Sequence, residues 1–396
     1  VSRPPSGTGD AHTLRDSTSL FSKRGALPFR RGLTYNALDL RSAQVGDAAC
    51  EKLLMPRPVS NPPNPWLSQH TEWLDEPPVA ELQVFEEEAK SVLAENKSPD
   101  LGFRWSLNPY RGCYHACAYC YARPSHQYLG FGAGTDFDRK IVVKLNAPAV
   151  LERELAKRSW KHELVVFSGN TDCYQPLEAS YVLTRRCLEV MLAHRNPVGM
   201  ITKGALVRRD IDVLAKLAER KLVNVSITIP FATDEIGRKL EPGASSPSKR
   251  FETLRALSEA GIPTGIAIAP MIPGLNESDI PELLERAKDA GATSAFMTLL
   301  RLSAEVLPVF RERLSETMPE RAKKIESAIR DMRAGKMNES SFGARMSGSG
   351  ARWEMVERLF DVQCKRLGLN AREREDAKSS SSGPSIQQRT LFGTDG

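Results

Sequence analysis

The sequence has no apolar run long enough to cross a bilayer. A spanning helix needs roughly 20 apolar residues, and even the apolar stretch 262–275 is broken by Pro263, Pro270 and Pro273. The amino-terminal stretch also lacks the apolar core of a secretory signal, since Pro4, Pro5, Asp10 and Asp16 interrupt its Arg and Ser residues. A cytoplasmic protein is expected, with a transit peptide as the alternative. A disulfide framework is missing as well. The seven cysteines are odd in number and unevenly spaced, three of them within eight residues, which suits a reducing compartment and a metal site. Strong charge is absent too: 55 Lys and Arg against 49 Asp and Glu leave +6, a balance that permits contact with nucleic acid without requiring it.

What is present describes a globular protein. Apolar residues make up 41% and charged residues 26% of the 396, enough for a sizeable core. Residues 1–80 are rich in Pro, Ser and Arg and carry little periodicity, so an irregular extension is expected there. A short strand and helix are expected over 81–92, and a loop over 96–108.

Beyond the cysteines, β-branched apolar runs at 140–143, 164–168, 198–202, 223–229, 264–269 and 294–299 alternate with amphipathic segments at 147–157, 181–194, 209–220, 247–260 and 280–290. Runs this short and this apolar read as strands buried on both faces. Their alternation with helices predicts an α/β fold, a parallel sheet either doubly wound or curled into a partial or full barrel, with chemistry at the carboxyl ends of the strands. The barrel is expected over 81–302. A helical cap is expected over 303–370, with helices at 319–332 and 352–367, and a disordered tail over 371–396.

The chemistry concentrates in Arg111-Gly112-Cys113-Tyr114-His115-Ala116-Cys117-Ala118-Tyr119-Cys120. Thiols separated by three and then two residues let one tight loop wrap three irons of a [4Fe-4S] cubane. An iron left without a protein ligand can chelate the amino and carboxylate groups of S-adenosylmethionine (SAM) and pass an electron to its sulfonium, which gives a 5′-deoxyadenosyl radical. The competing readings are a Cys3His zinc site with His115 or His126 as fourth ligand, and a non-catalytic binding module in which a cluster or zinc is structural.

This spacing, followed by βα units, resembles the radical SAM superfamily. Asn108 to Cys113, Cys120 to His126 and Thr171 to Pro176 resemble more closely its DNA repair photolyase-like group, related to spore photoproduct lyase. The resemblance runs from about Pro99 to Leu369 and implies a partial (β/α)6 barrel of the TIM type. It further implies that Tyr119 lies beside the adenine of SAM. Lys203 matches a lysine that meets the SAM carboxylate. Thr171, with Asp172 beside it, matches a hydroxyl residue near the SAM amino group, and Ser226 matches one near the ribose.

The lyase relays a hydrogen atom through a cysteine and tyrosines. Here Tyr121 and Cys173 are the catalytic candidates, while the position matching the lyase cysteine is Gly169. A reductant such as flavodoxin or ferredoxin is implied. Nucleic acid is the expected substrate, in a DNA repair or photoproduct lyase-like reaction; a protein side chain or a small molecule is the alternative.

Three further features bear on substrate and partners. Arg104, Arg111, Arg123, Lys203, Arg208, Arg209 and Lys249 are expected near the barrel mouth, where they could meet phosphates. The glycines of Phe131-Gly132-Ala133-Gly134 lack a preceding strand and read as a flexible loop facing the substrate. In the tail, Gln388-Arg389-Thr390-Leu391-Phe392 resembles the peptide by which bacterial repair and replication proteins dock on the DNA sliding clamp.

Overall fold

The computed structural model describes residues 81–371; the expectations for the amino-terminal extension and for the tail with Gln388 to Phe392 lie outside the described residues. Ten strands occur among those residues: β1 (Gln83–Glu87), β2 (Leu93–Glu95), β3 (Trp105–Leu107), β4 (Tyr110–Arg111), β5 (Lys140–Lys144), β6 (Val165–Phe167), β7 (Val198–Thr202), β8 (Val223–Thr228), β9 (Thr264–Met271) and β10 (Ser294–Leu299). The larger sheet has the order β10-β9-β8-β7-β6-β3-β2. From β3 to β10 every pairing in it is parallel, and β2 adds antiparallel to the outer edge of β3.

Alternation along these strands sorts side chains to two faces. Val165, Phe167, Val198, Met200, Val225, Ile227, Ile266, Ile268, Ala295 and Met297 pack outward against the helices. Val166 of β6, Ala267 of β9 and Phe296 of β10 meet on the other face around Phe103. Strands that are not neighbours can share one aromatic ring only if the sheet is curled, so the expected partial barrel is what forms. Its open side lies between the two edge strands, β2 and β10.

The helices follow the apolar periodicity closely: Ala147–Leu155, Leu183–Ala193, Ile211–Glu219, Pro247–Glu259 and Ile280–Asp289 cross between strands. Three expectations need correction. The strand at 140–143 does not join the barrel; as β5 it centres a separate sheet of order β1-β5-β4. No helix forms within 81–92, because Asn146 holds both the N–H and the carbonyl of Ala89 while Glu154 takes the amides of Val92 and Leu93, so the donors a helix would use are engaged elsewhere. The loop over 96–108 contains β3, the first barrel strand, whose short run is held by partners on both sides.

Helices Val306–Thr317, Pro319–Met332 and Ala351–Arg366 complete the described chain. The last lays Trp353, Val356, Phe360 and Cys364 against the barrel core. The first two build a second core from Val306, Phe310, Leu314, Ile325 and Ile329, which also includes Cys117, Ala118 and Tyr119. The cap is therefore the floor on which the cysteine loop rests.

At its end Asn370 closes on β10, its amide group bonding both the N–H and the carbonyl of Ala295 at 2.8 Å. Asn370→Ala strands both buried groups and is expected to cost about 2 kcal/mol. Urea unfolding reads this as a lower midpoint at unchanged slope; an unchanged midpoint contradicts it.

Candidate active site

The cysteine loop leaves β4 through Gly112, whose φ is +78°. A Cβ there would come within 2.9 Å of the Phe137 carbonyl, so glycine alone makes this reversal. Three tight turns follow, closed by Ala116 N–H to the Cys113 carbonyl, Cys120 N–H to the Cys117 carbonyl and Arg123 N–H to the Cys120 carbonyl. Each cysteine thus opens a turn.

Groups from four other segments fasten the loop. Gln175 accepts from the Tyr114 amide and donates to the Gly112 carbonyl. Ala118 donates to the Leu240 carbonyl, and Gly243 donates to that of His115. Arg123, fully buried, gives two hydrogen bonds to the Cys117 carbonyl and others to Ala133, Gly134 and Asp138.

Burial pushes all three thiols upward in pKa: Cys113 well above the thiol range, Cys117 against the opposing Lys203 ammonium, and Cys120 against the Arg123 guanidinium. Thiolates in such a place need positive charge beside them, which bound iron supplies. Among the described residues, no three His, Cys, Asp or Glu side chains converge as the ligands of one ion must. A cubane takes one thiolate per iron and asks for no such convergence. Among the described residues neither His115 nor His126 joins the cysteines in such a group; His115 Nδ1 faces Asp172 at 3.4 Å, and His126 lies against Phe131 and Phe137. The donor set fits a [4Fe-4S] cluster.

Beside this loop stand the ends of β6 and β7. Burial opposes ionisation of Asp172, yet His115, the Lys203 amide and the Thr202 hydroxyl hold its carboxyl far below the usual range. Its oxygens accept from Thr202 Oγ1 at 2.7 Å, Lys203 N at 2.7 Å and Tyr174 N at 2.9 Å. Asp172 thus clamps the end of β7 to the loop after β6. Thr171 is buried and donates its hydroxyl to the Tyr110 carbonyl at 2.7 Å. Ser226 sits mid-strand beside Ile201 and Gly265; its parity sets it on the inner face, opposite Val225 and Ile227.

Sequence reasoning missed the centre of the charge network, Glu241. It is fully buried and accepts from the Tyr119 hydroxyl and from Arg250, with Lys203 Nζ at 3.9 Å. That ammonium also lies 5.7 Å from the centroid of the Tyr119 ring, whose edge meets Phe231. Arg250 in turn donates to the carbonyls of Ser245 and Thr228. The signal in the sequence was Leu240-Glu241-Pro242-Gly243: an acid ahead of two helix-breaking residues, in the connection that follows a barrel strand.

The two hydrogen-transfer candidates differ in setting. Cys173 is fully buried within the barrel core, whereas Tyr121 is 53% exposed and donates its hydroxyl to the Gly169 carbonyl at 2.9 Å. A Cβ on Gly169 would meet that of Ser106 at 2.8 Å, so a side chain at this position would require Ser106 to shift.

Of the seven residues expected to form a basic mouth, all but Lys249 stand against carboxylates, Lys203 against Glu241 among them. Arg104 pairs with Glu95 and Glu163, Arg111 with Glu87, Arg123 with Asp138, and Arg209 with Glu178 and Asp210. Arg208 approaches Glu252 at 4.0 Å. The loop at Phe131 to Gly134 is likewise fixed, since two of its carbonyls accept from Arg123.

Residues 107–287 match the family model of the radical SAM superfamily. An uncharacterized protein of Mycobacterium tuberculosis (strain ATCC 25618 / H37Rv) is 39% identical over 236 residues, 58% of this chain and 69% of its own. A radical SAM Nalpha-GlyT isomerase of Pseudomonas phage M6 is 26% identical over 231 residues, 57% of this chain and 46% of the phage protein. Among solved structures, spore photoproduct lyase with bound AdoMet and dinucleoside spore photoproduct has a TM-score of 0.53 at 16% identity, covering 73% of this chain and 80% of that one. At that identity the likeness concerns the fold. No helix among the described residues is long and apolar enough to cross a membrane.

A Cβ on Gly243 would come within 2.0 Å of the Tyr114 carbonyl. Gly243→Ala must therefore displace the cysteine loop, and it is expected to lose most of its iron and sulfide after anaerobic reconstitution while keeping wild-type helix content. Full cluster loading in this variant would contradict the role given to that contact.

Proposed function

Since this chain belongs to the radical SAM superfamily and is an enzyme of that class, we propose that the substrate it works on is a nucleic acid, one base of which it repairs or modifies. Bound [4Fe-4S] cluster and SAM supply the chemistry, a one-electron cleavage of the sulfonium that yields a 5′-deoxyadenosyl radical. Cys113, Cys117 and Cys120 would hold the cluster, and with only three thiolates it would keep one iron for SAM.

The residues around the loop supply complementary polarity. Lys203 meets the SAM carboxylate. The Thr171 hydroxyl, donating to Tyr110, keeps oxygen lone pairs free to accept from the SAM ammonium. Ser226 meets the ribose, and the Tyr119 ring borders the adenine. Asp172 acts through Lys203 and Thr202, whose positions it fixes. Of the two relay candidates, Tyr121 has the exposure that hydrogen transfer to a substrate needs.

The nucleic-acid reading rests on one observation above others: the barrel and the segments around it share their fold, over 73% of the chain, with a spore photoproduct lyase solved with AdoMet and a dinucleoside photoproduct together. Sliding-clamp docking through Gln388 to Phe392 belongs to the same reading. Deleting residues 385–396 should end clamp pull-down and leave SAM cleavage intact; retained binding refutes it.

The direct test is 5′-deoxyadenosine formation from SAM and dithionite, with and without irradiated DNA. The nucleoside should form with wild type, rise with DNA and vanish in Cys113→Ala, Cys117→Ala and Cys120→Ala. A rate indifferent to DNA and RNA moves the substrate to a protein side chain or small molecule. Lys203→Ala should keep its cluster and bind SAM about tenfold or more weakly, the worth of one charge-assisted bond; wild-type affinity removes Lys203 from the site.

A further inference from the structure

With all the expected basic residues but Lys249 set against carboxylates, a further uncompensated positive charge lies at the end of β10. Arg301 follows β10 directly. Among the described residues no carboxylate pairs with it, its buried Nε has no hydrogen-bond partner, and its terminal nitrogen reaches only Met346 Sδ, at 4.0 Å. Burial lowers its pKa, the Arg345 guanidinium lowers it further, and Tyr121 and Asp100 oppose them. Arg301 therefore sits within electrostatic reach of the exposed tyrosine beside the cluster loop.

Two more guanidiniums crowd the same corner. Arg333 donates to the carbonyls of Leu300, Ala344, Arg345 and Ser347 and so shapes the 344–347 loop. Burial and Arg301 bring its pKa down to about 10. Glu339, the acid that favours its charge, is engaged by Lys336 at 3.6 Å and by Ser341. Arg345 pairs with Asp100 and stands 4.5 Å from the ring centroid of Phe342, which is 62% exposed. Arg301 and Arg345 thus share Asp100, and Glu339 is the acid that acts on Arg333; the exposed rings Phe342 and Tyr121 lie beside them.

Resting on the nucleic-acid reading above, we propose that this corner is a binding site for a single-stranded or extruded nucleotide, in which Arg301 takes a backbone phosphate and Phe342 stacks a neighbouring base. An anion relieves the mutual repulsion of the guanidiniums and gives Arg301 the partner it lacks. Exposed rings flanking a guanidinium suit bases that have left a duplex, because every base offers a π-face while paired bases keep theirs covered. The site stands where the barrel opens toward the cysteine loop, so a nucleotide held there is presented to Tyr121.

The test uses the full chain with its cluster loaded, a fluorescein-labelled single-stranded oligonucleotide, and anisotropy across a salt series. Arg301→Gln should bind about tenfold more weakly, and its plot of log affinity against log salt should flatten by about 0.7, the value of one phosphate contact on a single strand. Arg301→Lys should restore the slope. Phe342→Ala, a surface change that leaves the fold alone, should lose about tenfold in affinity with the slope intact. Iron content and melting temperature are compared for every variant. Wild-type affinity and slope in both Arg301→Gln and Phe342→Ala overturn the site while the nucleic-acid reading stands. Absence of oligonucleotide binding by the wild type overturns both, and 5′-deoxyadenosine formation would still report the radical chemistry.

Discussion

Close approach of backbone to backbone around the cysteine loop governs this molecule. The loop has no regular secondary structure between Gly112 and Cys120, so its shape comes from outside: Leu240 and Gly243 bond its outer edge, Gln175 bridges Tyr114 and Gly112, and Arg123 gathers Cys117 to the 133–134 segment. Glycine at 112 and 243 is what allows the contacts, because a side chain at either position would occupy the space of a carbonyl. Preorganisation of this kind matters for a cluster, since three thiols from one short segment must already be gathered before iron holds them.

A second constraint is electrostatic. Glu241 lies buried among Arg250, Lys203 and the Tyr119 hydroxyl, and removing one member of such a group leaves an uncompensated charge in a medium that solvates it poorly. The same carboxylate therefore ties together the aromatic ring of the cysteine loop, the lysine at the end of β7 and a helix of the barrel wall. Asp172 does the parallel work on the other flank, joining His115 to Thr202 and Lys203. Cluster loop and strand ends are thus registered by two buried acids, which holds the three cysteines and Lys203 in one frame.

Much of this was legible in the sequence, for local reasons. The spacing of Cys113, Cys117 and Cys120 is a property of one loop, and the strands at 198–202 and 294–299 are apolar runs whose limits match the structure. What escaped depends on tertiary partners. Trp105–Leu107 is a strand because β2 and β6 bond it, not because of its composition. Lys140–Lys144 reads like a barrel strand and pairs instead with β1 and β4. Arg104 and Arg209 look free in sequence, yet folding adds the distant acids Glu163 and Glu178 to the nearby Glu95 and Asp210, whereas Arg301 draws no attention in sequence and stands out only because no carboxylate among the described residues pairs with it. Glu241 was marked in sequence only by the Pro242-Gly243 that follows it; its role depends on Tyr119, Lys203 and Arg250, which only folding assembles.

The central claim is that three cysteines leave one iron of a cubane open for SAM. The most direct measurement is electron paramagnetic resonance of the reconstituted, dithionite-reduced protein before and after SAM is added. Coordination of SAM at the open iron predicts a signal of a reduced [4Fe-4S] cluster whose g-values shift on addition. A spectrum that SAM leaves unchanged, or a protein that takes up zinc and shows no signal, would contradict the account.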